Sequence, residues 1–483
     1  MSLRWTAIIG VRLMGIATVA TVAIGLGQTI VLSRLLDPKD FGLMAMIWVV
    51  LGFAQAFSDV GMSNAILHKQ DLTHEQLTSM YWVNVVAGLG VAIAAILFAP
   101  LLAVFYREPI LVDLMPWVAV SFVLAAVGQQ FQMIAQRDLR FGALASANIL
   151  SAFTAALVSV FAAWMGRGVY ALVLGGIGSA LSRTVLLMAA TGRTWWPSLH
   201  FNRANLRGVS RFGLYQIGER TANYIWSNVD YVMVGAYLGA EALGLYRVAY
   251  ETVVRPLSTI NPILNTVAYP LFSRKQNDNE ALRRGFLEMV RLVGVLVFPL
   301  LAGLGAVAPL AVQVAFGAKW AAAAPVLQIL CILGALRSLL NLVGSLIIAK
   351  GAVEKGLFWN VVLAVANTVA FWVTAPLGLT TLSWTAVCIL ASIMIVNWRS
   401  FYYDTIGLTA RDYLKSVIPS AAISTAMATI VYLAGIFTGD FLNPGMNLSL
   451  LIVLGATVYT GLFVLLDRSY VYHLAEMLFR RGQ

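Results

Sequence analysis

The sequence predicts an all-α integral membrane protein, and three observations support that fold class. Hydrophobic residues make up 60% of the 483 residues and charged residues only 11%, whereas a soluble globular chain is about one-quarter charged. The apolar residues form long continuous runs, and a helix that spans a bilayer needs about 20 of them. These runs lack the short alternating pattern of barrel strands, so the predicted spans are helices.

Each apolar run long enough to span the membrane is predicted to be one helix, which gives about fourteen spans. In chain order they cover residues 12–33, 42–60, 78–105, 110–135, 141–165, 168–190, 208–237, 242–268, 285–307, 320–348, 356–376, 379–402, 413–435 and 447–467. The turn signal Pro376-Leu377-Gly378 separates two neighbours that could otherwise be counted as one span. An even number of spans places both termini on the same side.

The basic residues set the predicted orientation. Most of the 32 Lys and Arg residues fall on one side of the spans, and Arg183 and Arg291 are assigned to the ends of spans on that side. The opposite side holds Arg34, Lys39, Arg107, Arg167 and Lys319. Because Lys and Arg are enriched in cytoplasmic loops, the N- and C-termini are both expected in the cytoplasm. The net charge of +11 then faces anionic lipids and does not indicate nucleic-acid binding.

A weak internal repeat predicts the domain organisation. Residues 36–43 (LDPKDFGL) and 238–245 (LGAEALGL) share a leucine followed by Gly-Leu at the same spacing. Both copies lie at the tight turn between the first two spans of their half. An offset of six spans predicts two six-helix bundles, related as a parallel pseudo-repeat, around a central cavity, which is a transporter architecture. The predicted domains are residues 1–195, 196–404 and an additional two-helix segment, 405–483.

Six charged residues interrupt the apolar spans at the start of the second half. They are Glu219, Arg220, Asp230, Arg247, Glu251 and Arg255. A charge at the centre of a bilayer costs about 2.5–3.5 kcal/mol, so such residues are expected to pair or to line a watery cavity. Their counterparts 202 residues earlier are Ala17, Thr18, Gln28, Ala45, Val49 and Phe53. Because those counterparts are neutral, the helical scaffold itself does not require the charges.

Helical spacing places four polar residues of the seventh span on one face. Glu219 and Asp230 are eleven residues apart, close to three helical turns, and Asn223 and Ser227 lie between them on the same face. A polar stripe on an apolar helix must face protein or water. Arg220 lies off this stripe, so a lipid-snorkelling position and a site position are both open for it.

The eighth span carries a second charged stripe. Arg247, Glu251 and Arg255 follow one another at intervals of four residues and therefore share a face. The seventh and eighth spans run antiparallel from a short turn, so residues on them can be matched in depth. The candidate ion pairs are Asp230–Arg247 and Glu219–Arg255.

Two interpretations of these charges remain open. The six groups can form a closed ion-pair network, since their formal charges sum to zero. Alternatively, the arginines present charge to phosphate or acidic sugars, because a guanidinium binds such groups through two parallel hydrogen bonds. The candidate substrate-binding residues are Arg255, Arg247, Arg337 and Glu251; the gating or ion-pair residues are Glu219, Asp230 and Arg220; the polar cavity residues are Gln28, Asn223 and Ser227.

The sequence predicts that the chain is not an enzyme and holds no metal or cofactor. Its four histidines, His68, His74, His200 and His473, lie in loops or at helix ends without the spacing of metal ligands. A glycine-rich phosphate loop of the Walker type is missing from the sequence. Transport would therefore depend on an ion gradient or on the gradient of the substrate.

Six short motifs lie in order along the chain. They are Asp59-Val60-Gly61-Met62 with Ala65-Ile66, Gln136 to Phe141, Arg211-Phe212-Gly213 with Asn228-Val229-Asp230, Leu238 to Tyr246, Pro270 to Arg274, and Phe316 to Trp320. From about residue 5 to residue 415 the chain resembles Wzx-type flippases, the polysaccharide-transport group of the multidrug/oligosaccharidyl-lipid/polysaccharide exporter superfamily, and it is most similar to the colanic-acid-type exporters of that group. Each motif alone is weak, and the six in order are specific to the group.

The resemblance implies a multi-pass protein of the bacterial inner membrane. Its substrate would be an oligosaccharide linked to undecaprenyl pyrophosphate, moved between leaflets by alternating access for exopolysaccharide or lipopolysaccharide biosynthesis. Polysaccharide polymerase and co-polymerase proteins would be its partners. A cation-coupled small-molecule exporter of the same superfamily remains an alternative, although such exporters usually have twelve spans. A membrane glycosyltransferase or polymerase is disfavoured, because it would need a large extramembrane loop with acidic catalytic residues.

Overall fold

The structure is a computed structural model that describes residues 3–58, 72–192, 194–202, 210–276, 278–350, 353–439, 441–468 and 470. Within these ranges all regular secondary structure is helical. The α-helices are α1 (Leu3–Leu35), α2 (Pro38–Ser58), α3 (His74–Tyr106), α4 (Ile110–Arg137), α5 (Phe141–Trp164), α6 (Tyr170–Thr191), α7 (Ser210–Arg274), α8 (Asn279–Ala306), α9 (Ala308–Ala315), α10 (Ala323–Ala349), α11 (Val353–Thr374), α12 (Leu379–Asn397), α13 (Asp404–Ile406), α14 (Ala410–Thr438) and α15 (Pro444–Leu466). Short 3-10 helices cover Ala318–Trp320 and Ala375–Leu377, and a π-helix covers Trp398–Tyr403.

Ten helices in the described part of the chain are long and apolar enough to cross a membrane. They are α1, α3, α4, α5, α6, α8, α10, α12, α14 and α15, some of them trimmed or extended by a few residues. The predicted all-helical, multi-pass fold is therefore confirmed. The other predicted spans coincide with α2, α11 and the two parts of α7, and the total of fourteen and the orientation of the termini stay predictions.

The beginnings of α3 and α8 follow from local sequence. The Thr73 hydroxyl accepts from the backbone N–H of Gln76, and the Gln76 side chain accepts from the backbone N–H of Thr73, which is a capping box. Asp278 begins α8 by accepting from the backbone N–H groups of Glu280 and Ala281. These caps fix the first turn of each helix and hence the position of every later residue along it.

The described chain divides into two compact units, of which the first comprises Met1–Arg247 and Asn360–Pro376. In this unit α3 packs on α4, α4 on α6, α5 on α6, and α1 on α5. Small residues bring the membrane helices close: a Cβ on Gly128 would collide with the side chain of Thr184. A buried apolar cluster includes Leu77, Met80, Phe131, Ile134, Leu187 and Trp195.

The helix α7 reverses direction at Gly239, where φ is 83° and ψ is −178°. The Tyr246 hydroxyl donates to Oδ2 of Asp230 at 2.8 Å, although sixteen residues of straight helix would span about 24 Å. Gly235 likewise faces the side chain of Leu243. Residues 210–238 and 240–274 therefore form two antiparallel helices joined by a glycine, as the tight turn in the sequence predicts. A positive φ of this kind is readily adopted only by glycine.

The two copies of the sequence repeat meet in a reciprocal contact within the first unit. A Cβ on Gly42 would collide with the backbone carbonyl of Ala240, and a Cβ on Gly244 would collide with the backbone carbonyl of Pro38. Residues 38 and 42 are the repeat counterparts of residues 240 and 244. Such an exchange of equivalent contacts is the signature of a two-fold relation between the two segments. The two bundles that the repeat predicts stay a prediction.

The second unit comprises Val248–Trp359 and Leu377–Gln483. The helix α8 is its centre: α10 and α14 pack on it, and α15 packs on α14 and α9. Nη2 of Arg291 on α8 lies 2.5 Å from both carboxylate oxygens of Asp467, directly after α15. Cζ of Arg291 lies 4.0 Å from the ring centroid of Tyr470. The additional helix pair is thus attached to α8 by an ion pair and by apolar packing.

Tyr470 stays neutral beside this ion pair. Burial raises the pKa of its hydroxyl to about 12, and the positive charge of Arg291 only partly opposes that rise. The neutral ring covers the guanidinium while Asp467 balances its charge, a favourable arrangement for a partly buried arginine. The predicted domain boundaries, with a separate segment at 405–483, stay a prediction.

Candidate functional site

The first charged stripe centres on Asp230, which is 4% exposed. Its Oδ2 accepts from the Tyr246 hydroxyl at 2.8 Å, and its Oδ1 accepts from the backbone N–H of Tyr231 at 3.0 Å. The rings of Tyr231 and Tyr246 meet edge to face, with centroids 5.5 Å apart. Both oxygens of this intramembrane carboxylate are therefore engaged, which is the condition for burying a charge at acceptable cost.

Arg247 follows Tyr246 and is turned toward α2. Its Nη1 lies 3.5 Å from the carbonyl oxygen of Phe41, at the limit of a hydrogen bond. Further along α2, the Tyr224 hydroxyl donates to the carbonyl of Trp48 at 3.1 Å. The first part of α7 therefore lies along α2. Arg247 stands beside the reciprocal glycine contact, and its predicted ion pair with Asp230 stays a prediction.

Glu251 and Arg255 form an ion pair along one face of α7. Nη2 of Arg255 lies 2.5 Å from Oε2 of Glu251, and the two side chains are 28% and 27% exposed. Nη1 of Arg255 is buried and has no hydrogen-bond partner among the described residues. The described residues thus satisfy only part of the hydrogen-bonding capacity of the guanidinium. The other predicted partner of Arg255, Glu219, has a side chain outside the described residues.

Arg337 on α10 contacts Tyr250 of α7 in two ways. Its Nη1 donates a hydrogen bond to the Tyr250 hydroxyl, and its Cζ lies 5.4 Å from the centroid of the Tyr250 ring. An aromatic face and a hydroxyl together stabilise a cation. The sequence offered Arg337 no acidic partner on its own helix, and the structure supplies a tyrosine from another helix.

Tyr250 and Val253 lie on the side of α7 that meets α10. A Cβ on Gly334 of α10 would collide with the side chain of Val253, and Arg337 of α10 binds Tyr250. At about 100° per residue, Glu251 and Arg255 point about 160° away from Val253, and Glu251 points about 100° away from Tyr250.

Gln28, predicted to line the cavity, binds a neighbouring helix. Its Nε2 donates to the Ser159 hydroxyl of α5 at 2.8 Å. It also borders a cavity of about 560 Å³ between α1 and α5, whose other walls are apolar and include Phe153, Leu157 and Trp164. Ser227 is partly buried and engaged in a contact of its own. The side chains of Arg220 and Asn223 lie outside the described residues, so their predicted roles stay predictions.

Sequence reasoning missed several residues that the structure brings into the site region. Tyr246 and Tyr250 hold Asp230 and Arg337, and nothing in their sequence context marks them as partners, since tyrosine is common in membrane helices. Arg183 and Arg291 were assigned to the ends of spans; Arg183 lies eight residues before the end of α6, and Arg291 lies twelve residues after the start of α8. Their depth in the membrane stays a prediction.

The charged and polar side chains of α7 and α10 suit the binding of an anionic ligand. Within the described ranges, no cluster of three His, Cys, Asp or Glu residues is placed to hold a metal ion. The polar groups of α7 and α10 are instead arginines, carboxylates and tyrosine hydroxyls at intervals of a helical turn. Such groups can bind an anionic ligand, or can exchange partners when the helices move.

Comparisons with known proteins identify the family. A model of the family described as "Polysaccharide biosynthesis protein" matches residues 31–325. The chain is 31% identical over 98% of both chains to the teichuronic acid biosynthesis protein TuaB of Bacillus subtilis (strain 168). It is 32% identical to the lipopolysaccharide biosynthesis protein WzxC of Escherichia coli (strain K12), over 90% of this chain and 89% of WzxC.

A solved structure shows the same fold. The lipid II flippase MurJ, in an inward closed conformation, matches with a TM-score of 0.74 and 12% identity over 94% of this chain and 99% of that one. The resemblance to Wzx-type proteins that the six motifs carry is thereby confirmed. The chain belongs to the polysaccharide biosynthesis protein family of membrane transporters.

Proposed function

We propose that the chain is a flippase of the bacterial inner membrane that moves an oligosaccharide linked to undecaprenyl pyrophosphate to the periplasmic leaflet. TuaB is named a teichuronic acid biosynthesis protein and WzxC a lipopolysaccharide biosynthesis protein, and MurJ is named a lipid II flippase. Ten apolar membrane helices suit a substrate that stays in the bilayer. A polysaccharide polymerase and its co-polymerase would then receive the unit.

The observation that carries this proposal is the incompletely satisfied guanidinium of Arg255. One of its terminal nitrogens is held by Glu251 at 2.5 Å, and the other is buried without an acceptor in the described part of the chain. A guanidinium presents two parallel N–H groups that match phosphate oxygens. A pyrophosphate would supply the missing acceptor and add charge-assisted hydrogen bonds.

Alternating access is supported by the reciprocal contact of the repeat. The backbones of α2 and α7 touch at Gly42 with Ala240 and at Gly244 with Pro38. A contact made by equivalent residues of two repeats can open and close symmetrically, which suits transporters that rock around a fixed site. The Arg247 side chain, beside this contact, would change partner as it opens.

The test replaces Arg255 in a strain that lacks the chromosomal gene. Arg255→Ala should lower surface polysaccharide to about a tenth or less of the wild-type level, since a hydrogen bond to a charged group contributes about 1.5–3 kcal/mol. Membrane levels of the protein should stay unchanged. Arg167→Gln, which removes one positive charge from an exposed loop, is the matched control.

A second variant separates substrate binding from gating. Glu251→Gln leaves the Arg255 charge in place and removes its partner. If Arg255 binds phosphate, Glu251→Gln should export more polysaccharide than Arg255→Ala; equal losses would indicate that the pair only gates. Wild-type export by Arg255→Ala would overturn the site assignment.

A cation-coupled small-molecule exporter is the second candidate function, and the buried Asp230 favours it. A carboxylate in a membrane helix is a common site for a coupling ion. This alternative predicts that the null strain loses efflux of small cationic dyes and keeps its polysaccharide. The flippase proposal predicts the reverse.

A further inference from the structure

Arg183 lies inside a membrane-spanning helix of the first unit. It is eight residues before the end of α6 (Tyr170–Thr191), which corresponds to about 12 Å of helix. Side chains of helical residues lean toward the N-terminus of their helix. The guanidinium therefore leans back toward the middle of α6 and away from its nearer end. Snorkelling to that end would have to work against this geometry.

The part of the chain that the structure describes offers Arg183 no counter-charge. None of the ion pairs there includes it. Its Nε is buried without a hydrogen-bond acceptor. An unbalanced charge in an apolar helix is costly. An arginine kept there without a partner among the described residues suits a partner that the ligand supplies.

Arg183 faces away from the lipid side of α6. Leu181 and Val185 are 48% and 53% exposed, and each lies two residues from Arg183. At about 100° per residue, both point about 160° away from it. The neighbouring Thr184 packs on α4, where its hydroxyl donates to the carbonyl of Leu124 at 2.8 Å. Arg183 thus points into the first unit, next to the α4 contact.

Open space lies on the same face, in the direction in which Arg183 leans. Gly176, two turns earlier, is within about 20° of Arg183 around the helix, and a Cβ built on it would meet nothing within 4 Å. By contrast, a Cβ on Gly175 or Gly178 would meet side chains of α5 at 2.8 Å and 3.2 Å. Ser179, one turn from Arg183, lies between. The face of Gly176, Ser179 and Arg183 therefore combines a cation, a hydroxyl and room for a ligand.

We propose that Arg183 binds an oxyanion of the transported substrate at a second cationic position, in the first unit. The inference rests on the proposed function, since a lipid-linked oligosaccharide is the anionic ligand that this function supplies. The recognised group is a phosphate or carboxylate oxygen, which accepts hydrogen bonds from the guanidinium and balances its charge. The pyrophosphate and an acidic sugar share this chemistry.

Binding to the purified full-length protein in detergent tests the proposal and distinguishes the two sources. The probes are farnesyl pyrophosphate, with farnesol as its uncharged control, and sodium glucuronate. Arg183→Gln should weaken binding of one anionic probe about tenfold or more and leave farnesol unaffected. Arg137→Gln, which removes a charge of the same unit from its pair with Asp138, should bind like the wild type. Unchanged affinity of Arg183→Gln for both anions would overturn the proposal.

A stability measurement tests whether Arg183 has a structural role instead. Arg183→Met replaces the charge by an apolar side chain of similar length. If the charge serves a ligand, the ligand-free variant should melt at a higher temperature than the wild type, because it no longer buries an unbalanced charge. It should also lose the stabilisation that the anionic probe gives the wild type. A lower melting temperature without ligand would show that Arg183 holds the fold together.

The experiments distinguish a failure of the Arg183 proposal from a failure of the proposed flippase function. If a strain lacking the gene still exports polysaccharide, the flippase proposal fails, whatever Arg183 binds. If Arg255→Ala abolishes export while Arg183→Gln exports and binds like the wild type, only the inference about Arg183 fails. Loss of both export and anion binding in Arg183→Gln, with an intact Arg137→Gln control, supports both.

Discussion

Arg183 in the first unit and Arg291 in the second show two ways of holding an arginine inside an apolar helix. Both leave a buried Nε without an acceptor among the described residues. Arg291 nevertheless has its charge balanced, because both oxygens of Asp467 lie 2.5 Å from its Nη2. Within the same described ranges, Arg183 has no such carboxylate. Tertiary partners, and not residue type, therefore separate an arginine that joins helices from one available to a ligand.

Arg255 lies between these extremes. Arg255 shares its charge with Glu251 through one nitrogen and keeps another buried without an acceptor in the described chain. Arg337 is held by the hydroxyl and ring of Tyr250. The more completely the protein balances an arginine, the more its removal should affect stability. The less completely it does so, the more removal should affect transport.

The largest expected effect on stability comes from Asp467→Asn, which leaves Arg291 partly buried without its counter-charge. Breaking a buried ion pair from one side typically costs about 3 kcal/mol or more, and Asp467 is only 9% exposed in its side chain. Unfolding of the purified protein by heat or denaturant would measure the loss. Anion binding should be unaffected, because the pair joins the end of α15 to α8 and includes neither Arg183 nor Arg255.

A double variant that removes both charges of the Arg291–Asp467 pair measures how much the pair contributes to stability. The double variant Arg291→Gln with Asp467→Asn should be more stable than Asp467→Asn alone, since no unbalanced charge remains. Additive losses would mean that the ion pair contributes little. In that case the contrast between Arg291 and Arg183 would lose its energetic basis.

A smaller effect is expected for the predicted pair of Asp230 and Arg247. Asp230→Asn combined with Arg247→Gln should impair export less than the more damaging single change, with a coupling of about 1–2 kcal/mol. Asn at 230 can still accept from the Tyr246 hydroxyl, so the reversal of α7 should persist. Polysaccharide levels in the complemented null strain measure the coupling. If the loss of export in the double variant equals the sum of the two single losses, Asp230 and Arg247 are not coupled and do not act as an ion pair in gating.

Local patterns in the sequence predicted the helices and the reversal of α7. The runs that predicted α3 to α6 are continuous and apolar, and hydropathy needs no tertiary information. The glycine between two apolar stretches predicted the turn at residue 239. The repeat predicted equivalent positions for Gly42 and Gly244. That these glycines touch each other's segments depends on how α2 meets α7, which no local pattern encodes.

The partners of charged residues could not be predicted in the same way. Asp467 is far from Arg291 along the chain. It lies just after α15, where an acidic residue is expected at the end of a membrane helix and does not indicate a partner. Gln28 was expected to line a cavity, and its hydrogen bond to Ser159 depends on the packing of α1 against α5. Arg183 was assigned to a span end because the positive-inside rule counts residues per loop and ignores the lean of each side chain.

The smallest effect is expected for Lys39→Gln, which removes an ion pair outside the apolar helices. Nζ of Lys39 lies 3.0 Å from Oε1 of Glu108, and its side chain is 56% exposed. Exposed pairs contribute about 0.2–1 kcal/mol, and that contribution should fall further in 1 M salt because exposed charges are screened. Unfolding at low and high salt measures this, with Lys39→Arg as the charge-conserving control. If Lys39→Gln lowers stability as much as Asp467→Asn, burial does not determine how much an ion pair contributes to the stability of this protein. The difference between Arg291 and Arg183 would then need an explanation other than charge balance.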